Sequence, residues 1–168
     1  MANGLTYIRK TTSPEATKQL AATLVTYLHA GDVVVLDGTL GAGKTQFVQG
    51  IAAGLGIHGA VTSPTFNIVL TYPSDTLTLY HFDLYRLESA CDLEDIGFYE
   101  TLDGDGVSFL EWGEKFPEAL PYSYLRISLD QNDDGTRVVR AHSFGERARQ
   151  LLFLWAKDSK SRLVKVSG

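Results

Sequence analysis

One glycine-rich segment has the residue types and spacing suited to phosphate chemistry. Residues 38–45 read Gly-Thr-Leu-Gly-Ala-Gly-Lys-Thr and match in full the pattern Gly-x-x-x-x-Gly-Lys-Ser/Thr. In that pattern the glycines let backbone N–H groups approach phosphates, the lysine, here Lys44, reaches the β- and γ-phosphates, and the hydroxyl of Thr45 binds Mg²⁺. We therefore predict a nucleoside triphosphate site. The sequence lacks the Asn-Lys-x-Asp motif that would read guanine, so we take the nucleotide to be ATP with Mg²⁺.

The predicted elements on either side of this loop are those that a phosphate site requires. Residues 32–36 form a valine-rich run, typical of a strand buried on both faces of a parallel sheet. A helix is predicted from about Lys44 to Leu55, and its N-terminal dipole would point at the same phosphates. The alternative is a glycine-rich turn with an incidental lysine. A chance match is expected in only about one chain of this length in a hundred.

Acidic side chains near the ends of two other predicted strands are candidates to complete the site. A phosphoryl-transfer site needs an acid beside magnesium and a group that positions the attacking water. Glu111 ends the apolar run 107–111 and is the candidate for the magnesium side. The alternative for Glu111 is an ordinary surface acid at a strand end, since such acids are common.

His81 and Asp83 lie two residues apart on a predicted strand and therefore face the same side. Asp83 is a candidate to hold a metal-bound water, with His81 either orienting that water or filling a polar pocket. A His-x-Asp pair also occurs in zinc sites, but no further histidine or cysteine completes a ligand set. The structural alternative is strand-end capping together with an ion pair between Asp83 and Arg86.

Two further residues near the site have competing interpretations. Thr65 lies in Ser63-Pro64-Thr65-Phe66, where a switch segment would sense the γ-phosphate, and its hydroxyl is a candidate contact to that phosphate or to magnesium. From the residues alone we favour an ordinary turn into a strand, with Phe66 packed in the core. Trp112 either covers the site or stacks on a partner, although core packing is commoner for tryptophan.

The hydrophobic pattern predicts a three-layer α/β domain around these residues. Turn-forming residues at 73–75 and 132–135 each join two β-rich runs into a hairpin. The fold class is therefore a P-loop NTPase-like fold whose mixed sheet has a parallel centre and antiparallel hairpins. Strands are predicted at residues 5–10, 32–36, 66–72, 76–82, 107–111, 124–130 and 137–144, and helices after Ser13, at about 44–55, within 87–102 and at 146–155.

Composition places the chain among globular proteins of one domain. It has 168 residues, of which 44% are hydrophobic, and a net charge of −5, which argues against a surface built as a whole for nucleic acid. Basic residues cluster late in the chain, as either a solvated face or a weak RNA contact. One cysteine and the lack of a signal-like or membrane-length apolar run lead us to expect a cytoplasmic protein, monomeric on its own. We expect one domain at residues 1–154 and a mobile tail at 155–168.

Four segments together resemble the TsaE family, also called YjeE, the small P-loop ATPases of bacterial tRNA threonylcarbamoyladenosine biosynthesis. They are the loop 38–45, residues 63–66, His81-Phe82-Asp83-Leu84-Tyr85-Arg86, and Glu111-Trp112, in that order. The resemblance spans about residues 5–145. It implies a weak ATPase that docks on two partner proteins, TsaB and TsaD. Those partners transfer the threonylcarbamoyl group to adenosine 37 of tRNAs that read codons starting with A, so tRNA would be met indirectly.

The resemblance also implies a role for each matched residue. Thr45 and Glu111 would hold magnesium, and Lys44 would contact the terminal phosphates. Asp83 would lie near the γ-phosphate and serve hydrolysis, with Thr65 in the switch loop. The residues that would surround the phosphates are Gly41, Ala42, Gly43, Lys44, Thr45 and Gln46.

The resemblance defines the base-binding residues less sharply, and the sequence departs from the family at two positions. Gly135 and Arg137, with the segment 12–15, would border the adenine. Thr39 stands where many relatives carry an acid, and Gln46 stands where a second threonine is frequent. Neither position supplies an essential charge, so we expect the site to be retained.

A phosphate loop alone does not define a reaction, so two other functions stay open. A stand-alone small-molecule or nucleotide kinase would share the loop, but it would need an acceptor pocket and a cationic lid that the sequence does not indicate. A non-catalytic module that binds ATP and then a partner is the third possibility.

Overall fold

The sheet at the centre of the molecule is mixed, and its parallel part lies in the middle. The computed structural model describes residues 5–39, 41–158 and 163–165. Within those ranges the strands are β1 (Leu5–Thr11), β2 (Val33–Gly38), β3 (Val69–Tyr72), β4 (Thr78–Asp83), β5 (Gly106–Glu111), β6 (Tyr124–Gln131), β7 (Arg137–Phe144) and β8 (Leu163–Lys165). They hydrogen-bond in the order β3-β4-β5-β2-β6-β7-β1-β8. Pairs β4–β5, β5–β2 and β2–β6 are parallel, and the others are antiparallel.

Helices cover both faces of the sheet. They are α1 (Pro14–Leu24), α2 (Lys44–Gly54), α3 (Ala90–Asp95), α4 (Phe98–Leu102) and α5 (Gly145–Asp158), with 3₁₀ turns at Val25–Tyr27, Gly113–Lys115 and Pro117–Ala119. Alternate residues of β2 face opposite sides: Val34 and Leu36 pack in the core beneath α1, α2 and α5, whereas Val33 and Val35 pack in the core beneath α3 and α4. This burial on both faces explains the unbroken valine run and confirms the predicted three-layer α/β fold. No helix in the described ranges has the length and apolarity needed to cross a bilayer.

Both predicted hairpins are present, but the strands of the first are shorter than the sequence suggested. The predicted strand at 66–72 begins only at Val69, because the N–H groups of Asn67 and Ile68 bond to the carbonyl of Pro64 and close a turn. Phe66 is consequently 81% exposed, so the expectation that it packs in the core is wrong. The second hairpin, β6 with β7, pairs from Tyr124↔Phe144 to Gln131↔Arg137.

The C-terminal helix extends past the predicted domain boundary at residue 154. Helix α5 runs to Asp158, and Trp155 and Ala156 are buried in the core that also holds Phe47. Strand β8 then pairs antiparallel with β1. Residues 155–158 and 163–165 of the expected mobile tail therefore belong to regular elements. The rest of that tail, residues 159–162 and 166–168, lies outside the described residues.

Helices α1 and α2 touch at a glycine. A Cβ placed on Gly50 would lie 2.8 Å from the Cβ of Ala21 and within overlap of the Lys18 carbonyl oxygen. Only a residue without a side chain allows this approach of the two backbones. The contact fixes α2, and with it the start of the phosphate loop helix, against α1.

Candidate functional site

The glycine-rich loop joins the end of β2 to the start of α2. Strand β2 ends at Gly38 and the helix begins at Lys44, with Gly43 as its N-cap at φ 110°. That backbone conformation is strained for any residue with a side chain, and a Cβ on Gly43 would also lie 3.1 Å from Nε of Arg137. The loop therefore needs glycine at this position for both its turn and its packing. Leu40 lies outside the described residues.

Lys44 joins the loop to the next strand of the sheet. Its Nζ donates to the carbonyl oxygen of Gly38 at 2.9 Å and lies 3.7 Å from Oε1 of Glu111. The same ammonium group is 5.9 Å from the ring centroid of Trp112. Because β5 lies directly beside β2, the acid at the end of β5 faces the loop, as the sequence predicted.

An open cavity of 820 Å³ lies over the loop and the strand ends. Most of the predicted site residues line it. Ala42, Gly135, Arg137 and the segment 12–15 do not. The lining residues are Gly38, Thr39, Gly41, Gly43, Lys44, Thr45, Gln46, Ser63, Thr65, Asp83, Tyr85, Glu111 and Trp112.

Asp83 and Glu111 reach the cavity from neighbouring strands, and each has one oxygen held by the protein. Oδ1 of Asp83 accepts a hydrogen bond from the backbone N–H of Tyr85 at 3.0 Å. Oε2 of Glu111 lies 3.0 Å from Nε2 of His81. Both acids are buried, at 7% and 5% exposure, so these contacts fix which oxygen of each carboxylate faces the cavity. The alternative that Glu111 is an ordinary surface acid is therefore wrong.

His81 lies behind Glu111 and away from the cavity. Its side chain is fully buried, and Nδ1 has no hydrogen-bond partner among the described residues. A carboxylate only accepts hydrogen bonds, so Nε2 of His81 donates to Oε2 of Glu111. His81 thus contacts the acid and is not placed to orient a water above Asp83.

The loop before β3 forms one wall of the cavity. Thr65 is half-buried there, and its Oγ1 lies 2.8 Å from Oγ of Ser63. The guanidinium of Arg86 lies 4.7 Å from the ring centroid of the exposed Phe66. Arg86 forms no ion pair with Asp83 within the described ranges, so the ion-pair half of that alternative is wrong. The capping half is present, because Oδ1 of Asp83 accepts the Tyr85 N–H at the end of β4.

Aromatic residues flank the mouth of the cavity. The rings of Tyr85 and Trp112 are 5.0 Å apart, and Trp112 has φ 62° in the turn after β5. Lys115 in the same turn donates to the carbonyls of Leu84, Tyr85 and Leu87 at 3.5, 2.5 and 2.7 Å. Trp112 belongs to the site's wall, as one interpretation held. No role was predicted for Tyr85 or Lys115 from the sequence; Tyr85 stands in the His81–Arg86 motif, but nothing local indicates Lys115.

Arg137, the first residue of β7, contacts the glycine-rich loop. It is 7% exposed, its Nε donates to the carbonyl of Ala42 at 3.2 Å, and no carboxylate of the described chain pairs with it. Gln46 lies on the same side of Gly43 as Arg137 does, since a Cβ placed on Gly43 would be 3.6 Å from Oε1 of Gln46. Gly135 stays in the β6–β7 turn at φ 82°. The structure therefore brings Arg137 to the loop but leaves Gly135 away from the cavity.

A pair of acids lies at the start of the loop, outside the cavity. Asp37 precedes Gly38, forms an ion pair with Arg126 and keeps a buried Oδ1 with no hydrogen-bond partner in the described residues. Burial raises the pKa of Glu114, the neighbouring carboxylate of Asp37 raises that pKa further, and Arg126 lowers it. The surroundings of Glu114 therefore favour its protonated form.

The side chains facing the cavity suit a hard cation better than zinc. No group of three or more His, Cys, Asp or Glu residues in the described chain is placed to hold a metal ion. Thr45 and Glu111 instead offer two oxygen donors, and magnesium binds with few protein oxygens, keeping water and phosphate as its other ligands. The zinc interpretation of His81 and Asp83 thus has no ligand set to support it.

The fold and the site together define a P-loop NTPase-like protein. A central parallel strand, the glycine loop and the following helix present Lys44 and Thr45 to acids on the adjacent strands. Residues 11–139 match the family model described as "Threonylcarbamoyl adenosine biosynthesis protein TsaE". The chain belongs to the TsaE family.

Individual relatives agree with this assignment. The tRNA threonylcarbamoyladenosine biosynthesis protein TsaE of Bacillus subtilis is 41% identical over 142 residues, covering 84% of this chain and 89% of that protein. The protein of the same name from Treponema pallidum is 50% identical over 112 residues, covering 67% and 82%. The crystal structure of Bacillus subtilis YdiB superposes with a TM-score of 0.82 at 33% identity, covering 95% of this chain and 99% of that one.

Proposed function

We propose that this chain binds ATP with Mg²⁺, hydrolyses it slowly, and docks on TsaB and TsaD to support threonylcarbamoylation of adenosine 37 in tRNAs that read codons starting with A. The observation that carries the proposal is the convergence of Lys44, Asp83 and Glu111 on one cavity over the glycine loop, in a member of the TsaE family. The transfer itself belongs to the partners. This chain meets tRNA through the complex, in the cytoplasm.

The shape and chemistry of the cavity fit a nucleotide. Its 820 Å³ falls within the range of about 300–1,000 Å³ usual for small-molecule sites. The glycine-rich loop lines this cavity. At Gly43 the positive φ and the nearby Arg137 leave no room for a side chain. Within the described chain Nζ of Lys44 contacts the Gly38 carbonyl, Glu111 at 3.7 Å and the ring of Trp112, and a phosphate can replace the first two contacts. These features favour an anionic ligand over an apolar one.

Each group at the site has a task toward the nucleotide. The N-terminal N–H groups of α2 and the ammonium of Lys44 bind the phosphate oxygens. The Thr45 hydroxyl and Oε1 of Glu111 would hold magnesium, which would supply positive charge against the phosphate oxygens. Arg137 supports the loop through its hydrogen bond to the carbonyl of Ala42.

Hydrolysis needs a water held in line with the bond that breaks. Asp83 is suited to hold it, because Oδ1 is occupied by the N–H of Tyr85 and the other oxygen of this carboxylate is left to accept from water. The water oxygen forms a bond to the γ-phosphorus, the bridging oxygen leaves with its electron pair on ADP, and the water's proton passes to Asp83 or the released phosphate. No arginine is among the described residues that line the cavity, which is consistent with slow turnover.

Exposed aromatic residues around the cavity mouth support docking on partner proteins. Phe66, Tyr85 and Trp112 are 81%, 58% and 39% exposed. Aromatic side chains are enriched at protein interfaces. A partner seated there would cover the nucleotide, so binding of ATP and of the partners would be coupled.

The test is ATP hydrolysis by the purified chain with Mg²⁺, alone and with TsaB and TsaD from the same organism. We expect slow hydrolysis alone, and either stimulation by the two partners or complex formation that depends on ATP. Full activity alone with no binding to either partner would contradict the docking proposal. Phosphoryl transfer to an acceptor in place of water would favour the kinase.

A further inference from the structure

His81 is a buried polar residue to which the ATPase chemistry assigns no part. Its side chain is fully buried on β4 and is absent from the cavity lining. Among the described residues its side chain makes one polar contact, from Nε2 to Oε2 of Glu111 at 3.0 Å, and Nδ1 has no partner. A buried polar group left half-satisfied costs free energy, so an apolar residue would suit this position better if packing were its only task.

The contact divides the two oxygens of Glu111 between different partners. Oε2 is held by His81 on the interior side, and Oε1 lies 3.7 Å from Nζ of Lys44 on the cavity side. A carboxylate free to rotate would present either oxygen, or both, to a cation. With Oε2 held, Glu111 presents Oε1 alone.

We propose that His81 is a positioning residue that fixes Glu111 in this one-oxygen orientation toward the magnesium of bound nucleotide. The inference rests on the proposed ATP and Mg²⁺ binding. His81 contacts neither phosphate nor metal and acts through Glu111. Outer contacts that orient a metal-binding side chain commonly change metal affinity by about 10- to 100-fold when removed.

Substitution by two amides separates positioning from packing. His81→Gln keeps an N–H donor at about the reach of Nε2, whereas His81→Asn ends near the place of Nδ1 and leaves Oε2 unbound. Both are polar, neutral and accommodated in similar space. His142→Gln and His142→Asn are the controls, because His142 also makes one side-chain hydrogen bond in the described chain, 2.9 Å from Nδ1 to Oγ1 of Thr6, and lies outside the cavity lining.

The measurement is calorimetric ATP affinity, first with EDTA and then at increasing Mg²⁺, with thermal unfolding of each ligand-free variant recorded in parallel. We expect His81→Asn to raise the Mg²⁺ concentration at half-maximal effect by about 10-fold or more while the affinity in EDTA stays within about twofold. His81→Gln should recover most of the shift. The His142 variants should match the wild-type protein.

Three results would overturn the inference. The first is a Mg²⁺ requirement of His81→Asn equal to that of the wild type. The second is an equal shift of that requirement in both amides, which would indicate packing. If His81→Asn fails to fold, a His81→Gln variant whose Mg²⁺ requirement departs from the wild type by 10-fold would contradict the role of Nε2 as the donor. If the wild-type chain binds no ATP at any Mg²⁺ concentration, that result contradicts the proposed function itself and does not test the role of His81.

Discussion

Asp83 and Glu111 are register partners, side by side at the ends of parallel strands β4 and β5. Residues paired in this way point to the same face of a sheet, so two carboxylates meet at one edge of the cavity. Each has one oxygen held, Asp83 by the N–H of Tyr85 and Glu111 by His81. Only Glu111 lies within ion-pair distance of Lys44 in the described chain. The two acids therefore have different surroundings and are suited to different tasks.

Lys44→Ala is expected to weaken ATP binding by about 100-fold or more, since it removes a charged donor to the terminal phosphates. Calorimetry measures the change. Lys18→Ala is the control, because Lys18 pairs on the surface with Glu15 at 3.5 Å. Undiminished affinity in the Lys44 variant would defeat the phosphate-loop assignment.

Glu111→Ala is expected to remove most of the Mg²⁺ dependence of ATP binding. It deletes the carboxylate that faces the cavity and leaves the loop N–H groups in place, so affinity in EDTA should change little. Glu118→Ala, an exposed acid in the turn Pro117–Ala119, is the control. A Mg²⁺ dependence equal to that of the wild type would exclude Glu111 as the acid on the magnesium side.

Asp83→Asn is expected to retain ATP affinity within about threefold and to slow hydrolysis by about 100-fold or more. The amide still accepts the Tyr85 N–H through its oxygen but is a poor acceptor for the attacking water. Steady-state phosphate release, with TsaB and TsaD present, is the measurement. If threonylcarbamoylation in the reconstituted system persists over many turnovers without hydrolysis, the binding-module alternative would hold.

Gly50→Ala is expected to destabilise the fold, contrary to the usual order of helix propensity. Alanine in a helix is ordinarily favoured over glycine by about 1 kcal/mol. Here the new methyl group would overlap the Lys18 carbonyl of α1, and overpacking costs about 1–3 kcal/mol. Urea unfolding gives the difference. Ala53→Gly, at an exposed position of the same helix, should show the ordinary propensity cost.

Glu114→Gln is expected to stabilise the protein at neutral pH. The pKa of Glu114 is raised by burial and by Asp37, so the folded state binds its proton more tightly than the unfolded state does. Stability then falls as pH rises from the ordinary glutamate value of 4.5 through the raised pKa. Chemical unfolding from pH 4 to 8 should show the variant and the wild type converging at the acid end. A constant difference across that range would contradict the linkage.

The fold was predictable where residue patterns are local. Local patterns predicted a buried strand from the valine run, a helix after the glycine loop and a hairpin at each turn cluster. All of these elements are present. The extent of α5 was not predictable, because the burial of Trp155 depends on its packing with Tyr7 and Phe47 from distant strands and helices.

The structure brings most of the candidate residues to one cavity, but their contacts were not predictable from the sequence. Lys44 and Glu111 are 67 positions apart, and their approach depends on β5 lying beside β2 in the sheet. The contact of Arg137 with Ala42 likewise needs β6 on the other side of β2, since β7 follows β6 as a hairpin. Strand order of this kind is set by tertiary packing, which no local pattern encodes.

The two tryptophans of the chain occupy opposite environments. Trp155 is fully buried beside Tyr7, whereas Trp112 is 39% exposed at the cavity, with Nζ of Lys44 5.9 Å from its ring. The intrinsic tryptophan fluorescence should therefore have a blue-shifted component from the shielded Trp155 and a red-shifted component from Trp112. Acrylamide should quench the Trp112 component first. The chain thus carries its own optical reporter: the proposed nucleotide or partner binding would act on the Trp112 component, and the Trp155 component would serve as an internal reference for the intact core.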